Sequence, residues 1–419
     1  MTLLFRTPPR SIFPVQYSIL LFPHDFLPHH ALYSIMETEH PNRKGLPGNI
    51  RRIVVKVGSR ILVDANGKPD LGKIEELTTE IAALRQQGYE VILVSSGAIA
   101  AGVQTLGLPE RPTNLPDLQM AAAVGQSVLM QHYTVSFLHH KCRVGQVLLT
   151  HTDLENRERH LNARNTIMAM LRNGVIPVVN ENDVVAVDEI RFGDNDYLAS
   201  LVSTLVGGDL LLLLTASDGF YRMEKGELKE RIPCLESVTS STLSMAQGKG
   251  SKWSSGGMAS KLKAADHAAR AGTPVIIANG SEKDIIKRVL SGEDTGTLIM
   301  ADQNGRPLKA RKKWIAFFQR PAGSIVVDEG AVDAIRRGGN SLLPAGVHHT
   351  KGRFGVGSLV NIRSEKGETI ARGITSYSHD DIEKIKGRHT TEISSILGES
   401  HFEEIIHRDN MVITEEKYQ

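Results

Sequence analysis

Short apolar runs alternate with stretches of helical periodicity along the chain from about residue 50. Ile53–Val55 is a β-branched run and Val91–Val94 is a continuous apolar run, so each predicts a strand. Between them, Lys73–Gln87 carries apolar residues three or four positions apart, which predicts a helix that ends at Gly88. The first regular part of the chain therefore indicates a strand–helix–strand unit.

This alternation continues to about residue 280. Because the strands are unbroken apolar runs, both faces of their sheet are expected to be buried. The pattern predicts an α/β fold with a mainly parallel sheet between helices, whose ligands bind at the carboxyl ends of the strands. The further strands predicted are Val144–Leu149, Val175–Val179, Leu210–Leu214 and Val275–Ala278. The further helices predicted are Leu118–Leu138, His160–Asn173, Asp196–Val206 and Ala259–Ala271.

The C-terminal part has a different pattern. Lys312–Lys313 and Pro321–Gly323 indicate a linker, and the short β-like runs that follow lie between glycine turns, which predicts a small, mostly β domain. The runs are Ser324–Val327, Ser358–Ile362 and Thr369–Ile374. The chain is thus divided into an extension (1–49), an α/β domain (50–310), a β domain (321–400) and a tail (401–419).

The extension differs from the rest in composition. Residues 1–49 hold seven of the 17 prolines and four histidines, so we expect them to be disordered. Met36 precedes the regular part of the chain, and translation from Met36 is a hypothesis that the intact mass of the natural protein would decide.

Charge and cysteine content exclude several classes of protein. The 419 residues carry a net charge of +2, which argues against a protein held on nucleic acid mainly by charge. No run of about 18 apolar residues predicts a membrane span. Cys142 and Cys234 are far apart and form no CxxC pair, so we expect two buried thiols and a reducing, cytoplasmic setting.

Small and polar residues follow the first two strands. Lys56-Val57-Gly58-Ser59 could place an ammonium and backbone N–H groups against phosphate oxygens, or could be an edge lysine before a tight turn. The segment from Ser95 to Gly102 could let an anion reach a helix N-terminus, or could allow a helix to pack closely on the sheet. The residues alone leave both pairs of interpretations open.

Two clusters of carboxamides and carboxylates come later in the chain. Asn180-Glu181-Asn182-Asp183 follows a predicted strand, and Gly193-Asp194-Asn195-Asp196 opens a predicted helix. Such residues are common helix caps and turn formers, but here they could also hold a small polar substrate or orient lysines. The segment from Thr215 to Tyr221 could contact a nucleotide, although it is more often a turn.

A glycine-rich segment leads into the last helix of the α/β domain. Lys261 lies in the first turn of that helix, where a cation opposes the helix dipole unless an anion binds there. No dinucleotide fingerprint, Walker-type loop or histidine metal motif occurs, so we propose no metal held by protein ligands. Two lysines without a histidine base suit phosphoryl transfer to a carboxylate, which is already ionised at pH 7.

These segments together resemble the amino acid kinase family and, within it, the glutamate 5-kinases. The resemblance rests on the segments above, on Val144–Thr150, and on Arg157-Glu158-Arg159 with Leu161-Asn162-Ala163-Arg164. The β domain, with Val327–Ala331 and Ser341–Pro344, resembles the PUA domain that many glutamate 5-kinases carry. The resemblance implies the amino acid kinase fold plus a PUA-like domain, covering about 370 residues.

The resemblance implies ATP-dependent phosphorylation of the γ-carboxylate of L-glutamate, the first step of proline biosynthesis, with Mg²⁺ carried mainly by the nucleotide. By position, Lys56 and Lys261 match the lysines that stabilise the transferring phosphoryl group, and Asp196 matches the carboxylate that organises them. The implied substrate residues are Ser96, Asp183 and Asn195. The implied nucleotide residues are Lys56, Thr215, Ala216, Ser255, Gly256, Gly257, Met258, Ala259, Ser260 and Lys261.

The resemblance also implies feedback inhibition by proline, a homodimer or homotetramer, and glutamyl phosphate reductase as a functional partner. Ala216 departs from the family, since many relatives carry Asp there, and Asp218 is a candidate to compensate. Another amino acid kinase is the nearest alternative. An RNA-binding protein is the alternative from another class, but residues 321–419 carry 12 Lys and Arg against 15 Asp and Glu, so RNA is not expected.

Overall fold

The computed structural model describes residues 46, 50–64, 68–186, 195–224, 227–246, 257–302, 310–318, 320–398 and 402–413. Several sequence predictions lie outside these residues: nearly all of the extension 1–49, the end of the tail, and the site candidates Ser255 and Gly256.

The α/β domain is built on a central sheet that has eight strands in the described part of the chain, in the order β3-β4-β2-β1-β5-β9-β10-β8. Neighbouring strands from β3 to β9 are parallel, β10 runs antiparallel to β9, and β6 and β7 form a separate hairpin. The strands are β1 (Arg52–Val57), β2 (Glu90–Val94), β3 (Arg143–Leu149), β4 (Val175–Glu181), β5 (Leu210–Thr215), β6 (Phe220–Glu224), β7 (Glu227–Ile232), β8 (Cys234–Leu235), β9 (Val275–Asn279) and β10 (Thr297–Ile299).

Helices cover both faces of this sheet, as the unbroken apolar strands predicted. Alternate residues of the strands belong to two apolar layers: Val54 and Ile92 lie in one, and Ile53 and Leu93 lie in the other. Cys142 is buried in the second layer and Cys234 is half-buried against it. The helices are α1 (Leu71–Gln86), α2 (Ala98–Thr105), α3 (Leu115–His139), α4 (His151–Glu155), α5 (Arg157–Arg172), α6 (Asn195–Val206), α7 (Ser240–Ala246), α8 (Met258–Arg270) and α9 (Ile285–Leu290).

The strands and long helices predicted for this domain are all present, and two of the long helices begin earlier than predicted. The structure begins α3 and α5 three residues earlier than apolar periodicity predicted. Asn114 and Asn156 are the N-caps, and the side chain of each accepts hydrogen bonds from backbone N–H groups of the first turn. These caps extend the helices through polar residues that apolar spacing does not detect.

The C-terminal domain has its own sheet and its own apolar core. The strand order is β12-β11-β13-β14-β15, antiparallel except between β11 and β13. Its core includes Ile325, Val360 and Ile406. The mostly β domain predicted here is therefore confirmed, with short helices added. Its elements are β11 (Gly323–Val327), α11 (Glu329–Gly338), β12 (Val347–Lys351), β13 (Leu359–Ser364), β14 (Thr369–Ile374), α12 (His379–Ile385), α13 (Ile393–Leu397) and β15 (Met411–Ile413), preceded in the chain by the linker helix described next.

The segment between the domains, predicted from the sequence as a linker, is a packed helix. The linker helix, α10 (Ala310–Phe317), buries Trp314, Ile315 and the adjacent Phe318 in an apolar layer of the α/β domain. Leu359 of β13 belongs to the same layer, so the apolar contacts continue into the C-terminal domain. The basic residues beside Trp314 obscured this apolar side in the sequence.

Helices α2 and α3 pack so closely that two glycines are required. A Cβ atom on Gly102 would lie 1.7 Å from the carbonyl oxygen of Ala121, and one on Gly125 would lie 1.8 Å from that of Ala98. The sequence left open whether the segment ending at Gly102 allows close packing. The structure shows that Gly102 does so, but it packs against helix α3 rather than against the sheet.

We expect Gly125→Ala to lower the free energy of unfolding by about 1–3 kcal/mol, because the backbones of α2 and α3 must separate. Gly72→Ala in α1 is the matched control, since its added Cβ meets only Asp70 Oδ1 at 3.4 Å. That change should be neutral or slightly stabilising. Urea unfolding followed by circular dichroism measures both variants; equal midpoints for the two would contradict the packing argument.

Candidate active site

A carboxylate buried between two lysines lies at the carboxyl end of β1. Asp196 Oδ1 is 2.6 Å from Lys56 Nζ, and Asp196 Oδ2 is 2.9 Å from Lys261 Nζ. Lys56 is in β1, Asp196 is in the first turn of α6, and Lys261 is in the first turn of α8. Three distant segments of the chain therefore meet at one point.

The charges of this triad are nearly removed from solvent. The side chains of Lys56, Asp196 and Lys261 are only 6%, 3% and 10% exposed. Burial by itself would raise the pKa of Asp196, but the two ammonium groups and their hydrogen bonds outweigh it and hold this pKa below its usual value. The carboxylate therefore stays ionised, and the three groups together carry one positive charge.

The start of α8 offers backbone N–H groups beside Lys261. Gly257 is the N-cap and provides no side chain to accept from the first-turn amides. Met258, Ala259 and Ser260 form that first turn, and the Ser260 hydroxyl donates back to the Gly257 carbonyl oxygen at 2.9 Å. An uncapped helix start next to a lysine is suited to an anion.

A second polar group surrounds the amide of Asn195, the residue before Asp196. Its Nδ2 donates to Ser96 Oγ, to Ser95 O and to Asn180 Oδ1, each at 3.0 Å. Its Oδ1 is buried and has no hydrogen-bond partner in the described part of the chain. The structure therefore brings the predicted substrate residues Ser96 and Asn195 together and leaves one buried acceptor for a donor from outside the protein.

Four further residues hold this group in place: Asn180 and Ser95, which lie in candidate segments of the sequence, and Gln126 and Tyr133, which the sequence did not indicate. Asn180 is 2% exposed, and its Nδ2 donates to Gln126 Oε1 at 2.7 Å. Ser95 Oγ lies 2.8 Å from Tyr133 OH, and both residues are fully buried. Gln126 and Tyr133 are seven residues apart on α3, which places them on one side of the helix. No local motif marks Gln126 or Tyr133, whereas Asn180 belongs to the cluster of carboxamides and carboxylates indicated by the sequence.

Asp183 follows β4, the neighbour of β2 in the sheet. It is half-buried, and this burial raises the pKa of its carboxyl group to about 6, although Arg111 acts in the opposite direction. A carboxyl group with this pKa changes charge close to neutral pH. The structure places it at the same edge of the sheet as Ser96, since β4 and β2 are parallel.

The segment after β5 lies on the other side of β1. Thr215 ends β5 and Ala216 is exposed. The carboxylate of Asp218 accepts a hydrogen bond of 2.7 Å from Tyr221 OH. The backbone N–H of Gly58 donates to Leu214 O at 3.1 Å, so this amide is used within the sheet rather than for a ligand.

The described residues contain no group of three or more His, Cys, Asp or Glu side chains placed to hold a metal ion. They also contain no helix with the length and apolarity needed to cross a bilayer. The site that the structure does contain is an edge of the sheet with a buried positive triad, an uncapped helix start and an amide network.

Comparisons with known proteins agree with this architecture. The family model of the amino acid kinase family matches residues 51–279, and that of the PUA domain matches residues 323–397. Glutamate 5-kinases of Geobacter sp. strain M21 and of Citrifermentans bemidjiense are each 46% identical over 374 residues, covering 88% of this chain and 100% of the relative. The glutamate 5-kinase of Trichlorobacter lovleyi is 46% identical over 373 residues, covering 88% of this chain and 99% of the relative.

Both domain assignments made from the sequence are thereby confirmed: an amino acid kinase fold, followed by a PUA domain with a separate sheet. Given the similarity over nearly the full length of these relatives, the chain belongs to the glutamate 5-kinases of the amino acid kinase family.

Proposed function

We propose that this protein transfers the γ-phosphoryl group of ATP to the γ-carboxylate of L-glutamate, giving L-glutamyl 5-phosphate, the first step of proline biosynthesis. The triad of Lys56, Asp196 and Lys261 carries the proposal. The geometry of the triad suits a reaction between two anions. The relatives reported above are glutamate 5-kinases that this chain matches over their full length, which supports glutamate as the acceptor.

The acceptor needs no general base. A glutamate side chain has a pKa of about 4.3, so its carboxylate is already ionised at pH 7. The barrier arises instead from bringing this anion to the phosphates of ATP. The ammonium groups of Lys56 and Lys261 would lower it by attracting the oxygens of the transferring group, while Asp196 fixes both lysines in place before the reaction starts.

The two ligands would occupy neighbouring parts of the same sheet edge. We assign the nucleotide to Thr215, Ala216 and the start of α8, where first-turn amides and Lys261 can bind phosphate oxygens. Mg²⁺ would be carried mainly by the nucleotide, whose phosphate oxygens are ligands that this cation prefers. We assign glutamate to Ser96, Asn195 and Asp183, where the buried Asn195 Oδ1 can accept from an ammonium group.

Further parts of the proposal rest on the family resemblance alone. These are feedback inhibition by proline, a homodimeric or homotetrameric assembly, and glutamyl phosphate reductase as a functional partner. A cytoplasmic setting is proposed instead from the cysteine content of the chain. An acyl phosphate hydrolyses in water, so an enzyme that consumes it rapidly is a reasonable partner.

We expect Lys261→Ala to lower kcat about 10²–10³-fold, corresponding to about 2.7–4 kcal/mol of lost transition-state stabilisation. Lys56→Ala should act similarly. Lys263→Ala is the matched control, because Lys263 is exposed on the same helix and should leave kcat within twofold. Hydroxylamine trapping of the acyl phosphate, with Mg-ATP and L-glutamate, gives the rate.

Two outcomes of this assay would contradict the proposal in different ways. If wild-type protein forms hydroxamate with aspartate or N-acetylglutamate but not with glutamate, the acceptor is assigned wrongly. If Lys261→Ala and Lys263→Ala are equally active, the role of the triad is wrong.

We expect kcat/KM for glutamate to fall as the pH drops through about 6, because protonation of Asp183 removes its attraction for the substrate ammonium group. A carboxyl group with this pKa is about one-tenth ionised at pH 5, so the loss relative to pH 8 should be about tenfold. For Asp183→Asn, kcat/KM for glutamate should be lower than for the wild type and should no longer change between pH 5 and pH 8. Equal pH profiles for the two proteins would exclude Asp183 from substrate binding.

A further inference from the structure

Helices α6 and α8 make a second polar contact beyond the triad. His267 Nδ1 lies 3.2 Å from Ser200 Oγ. Ser200 is four residues after Asp196, and His267 is six residues after Lys261, which corresponds to about 6 Å and about 9 Å along their helices. The Asp196–Lys261 ion pair and the His267–Ser200 contact therefore both link α6 to α8.

The other nitrogen of His267 binds the linker helix. Its Nε2 lies 3.0 Å from the carbonyl oxygen of Phe317. A carbonyl oxygen only accepts, so Nε2 carries the hydrogen. Burial lowers the pKa of His267 to about 4, so the ring is neutral at pH 7 and Nδ1 is an acceptor for the Ser200 hydroxyl. That hydroxyl also lies 2.7 Å from Tyr197 O, and its single hydrogen is shared between the two acceptors.

Aromatic contacts fix the plane of the His267 ring. Its centroid is 5.1 Å from that of Tyr197 and 5.5 Å from that of Phe317, both in edge-to-face geometry. Tyr197 is the residue directly after Asp196. Movement of His267 would therefore disturb the start of α6 as well as the contact with the linker helix.

The linker helix is itself held by both domains. Lys313 Nζ donates to Ala271 O, just beyond the end of α8, at 3.0 Å. Arg372 of β14, in the PUA domain, reaches Ala316 O with its Nη1 at 3.4 Å. A continuous set of contacts thus leads from the PUA sheet through the linker helix and His267 to the helices of the triad.

We propose that His267 is a positioning residue: by tying α8 to α6 and to the linker helix, it holds Lys261 where phosphoryl transfer needs it. The inference rests on the proposed kinase activity and adds to it a role for the docked linker helix. His267 lies outside the reacting groups, so it acts through Lys261.

His160 provides a matched control. It is also buried, with its pKa lowered to about 4 mainly by burial, and it packs edge-on against Phe318 at 4.5 Å and Trp314 at 6.4 Å. It lies on α5 and touches neither α6 nor α8 through a hydrogen bond that the structure describes. Replacing it should disturb the packing of the linker helix without releasing Lys261.

The test uses the full-length protein and hydroxamate formation with Mg-ATP and L-glutamate. An asparagine amide can take the place of Nδ1, so His267→Asn keeps the hydrogen bond with Ser200 and loses the hydrogen bond to Phe317 O. We expect its kcat to fall about tenfold with KM for glutamate within twofold, since a displaced catalytic group costs rate more than binding. His160→Asn should lower the melting temperature but leave kcat within twofold.

The decisive measurement repeats His267→Asn in the Lys261→Ala background. If His267 acts through Lys261, the tenfold loss should shrink to less than threefold there. If His267→Asn does not fold, Ser200→Ala, which removes one oxygen, replaces it in the same pair of backgrounds, with an expected loss of three- to tenfold. A wild-type kcat in the single variant, or an equal loss in both backgrounds, overturns the proposal. Absence of glutamate-dependent hydroxamate with wild-type protein would instead overturn the proposed function.

Discussion

The ion pairs of Asp196 with Lys56 and Lys261 set the main physical constraint on the α/β domain. Removing three charges from water costs free energy, and one carboxylate cannot neutralise two ammonium groups. Apolar side chains of similar volume would stabilise the fold at least as well. The triad is therefore poorly explained as a stabilising device. It is well explained as a preformed positive site, in which Asp196 keeps two lysines close together while no anion is bound.

This constraint accounts for the position of the surrounding elements. A buried charge needs partners at fixed distances, and here they come from β1, α6 and α8, which are brought together only by the sheet order β2-β1-β5 and the helices packed on it. Asn195, next to the triad, has the same requirement for fixed partners. Its amide hydrogen-bonds Ser95 and Asn180 and so connects the start of α6 to the ends of β2 and β4. The close contact of α2 with α3, which Gly102 and Gly125 allow, places Gln126 and Tyr133 behind that network.

The sequence predicted the architecture well because apolar periodicity reports burial directly. The unbroken run of β5 and the spaced apolar residues of α1 each specify their element locally. Lys56, Asp196 and Lys261 were predictable as a set through the family resemblance, and their places near a strand end or a helix start agree with where ligands bind in such sheets. Gln126 and Tyr133 were not, since their role depends on which strand end their helix crosses. That is a property of the tertiary packing, which no local pattern contains.

The linker helix was missed for a related reason, and the reason bears on how the two domains work together. Eight residues are too few to form a stable helix alone, so this segment is helical because Trp314, Ile315 and Phe318 find a surface to bury them. That surface is an apolar layer of the kinase domain that also includes Leu359 of the PUA domain, and Arg372 of the PUA domain donates a hydrogen bond to Ala316 O of the helix. The linker helix therefore depends on contacts that both domains supply. The hydrogen bond from His267 to Phe317 O connects the linker helix to α8, the helix that carries Lys261.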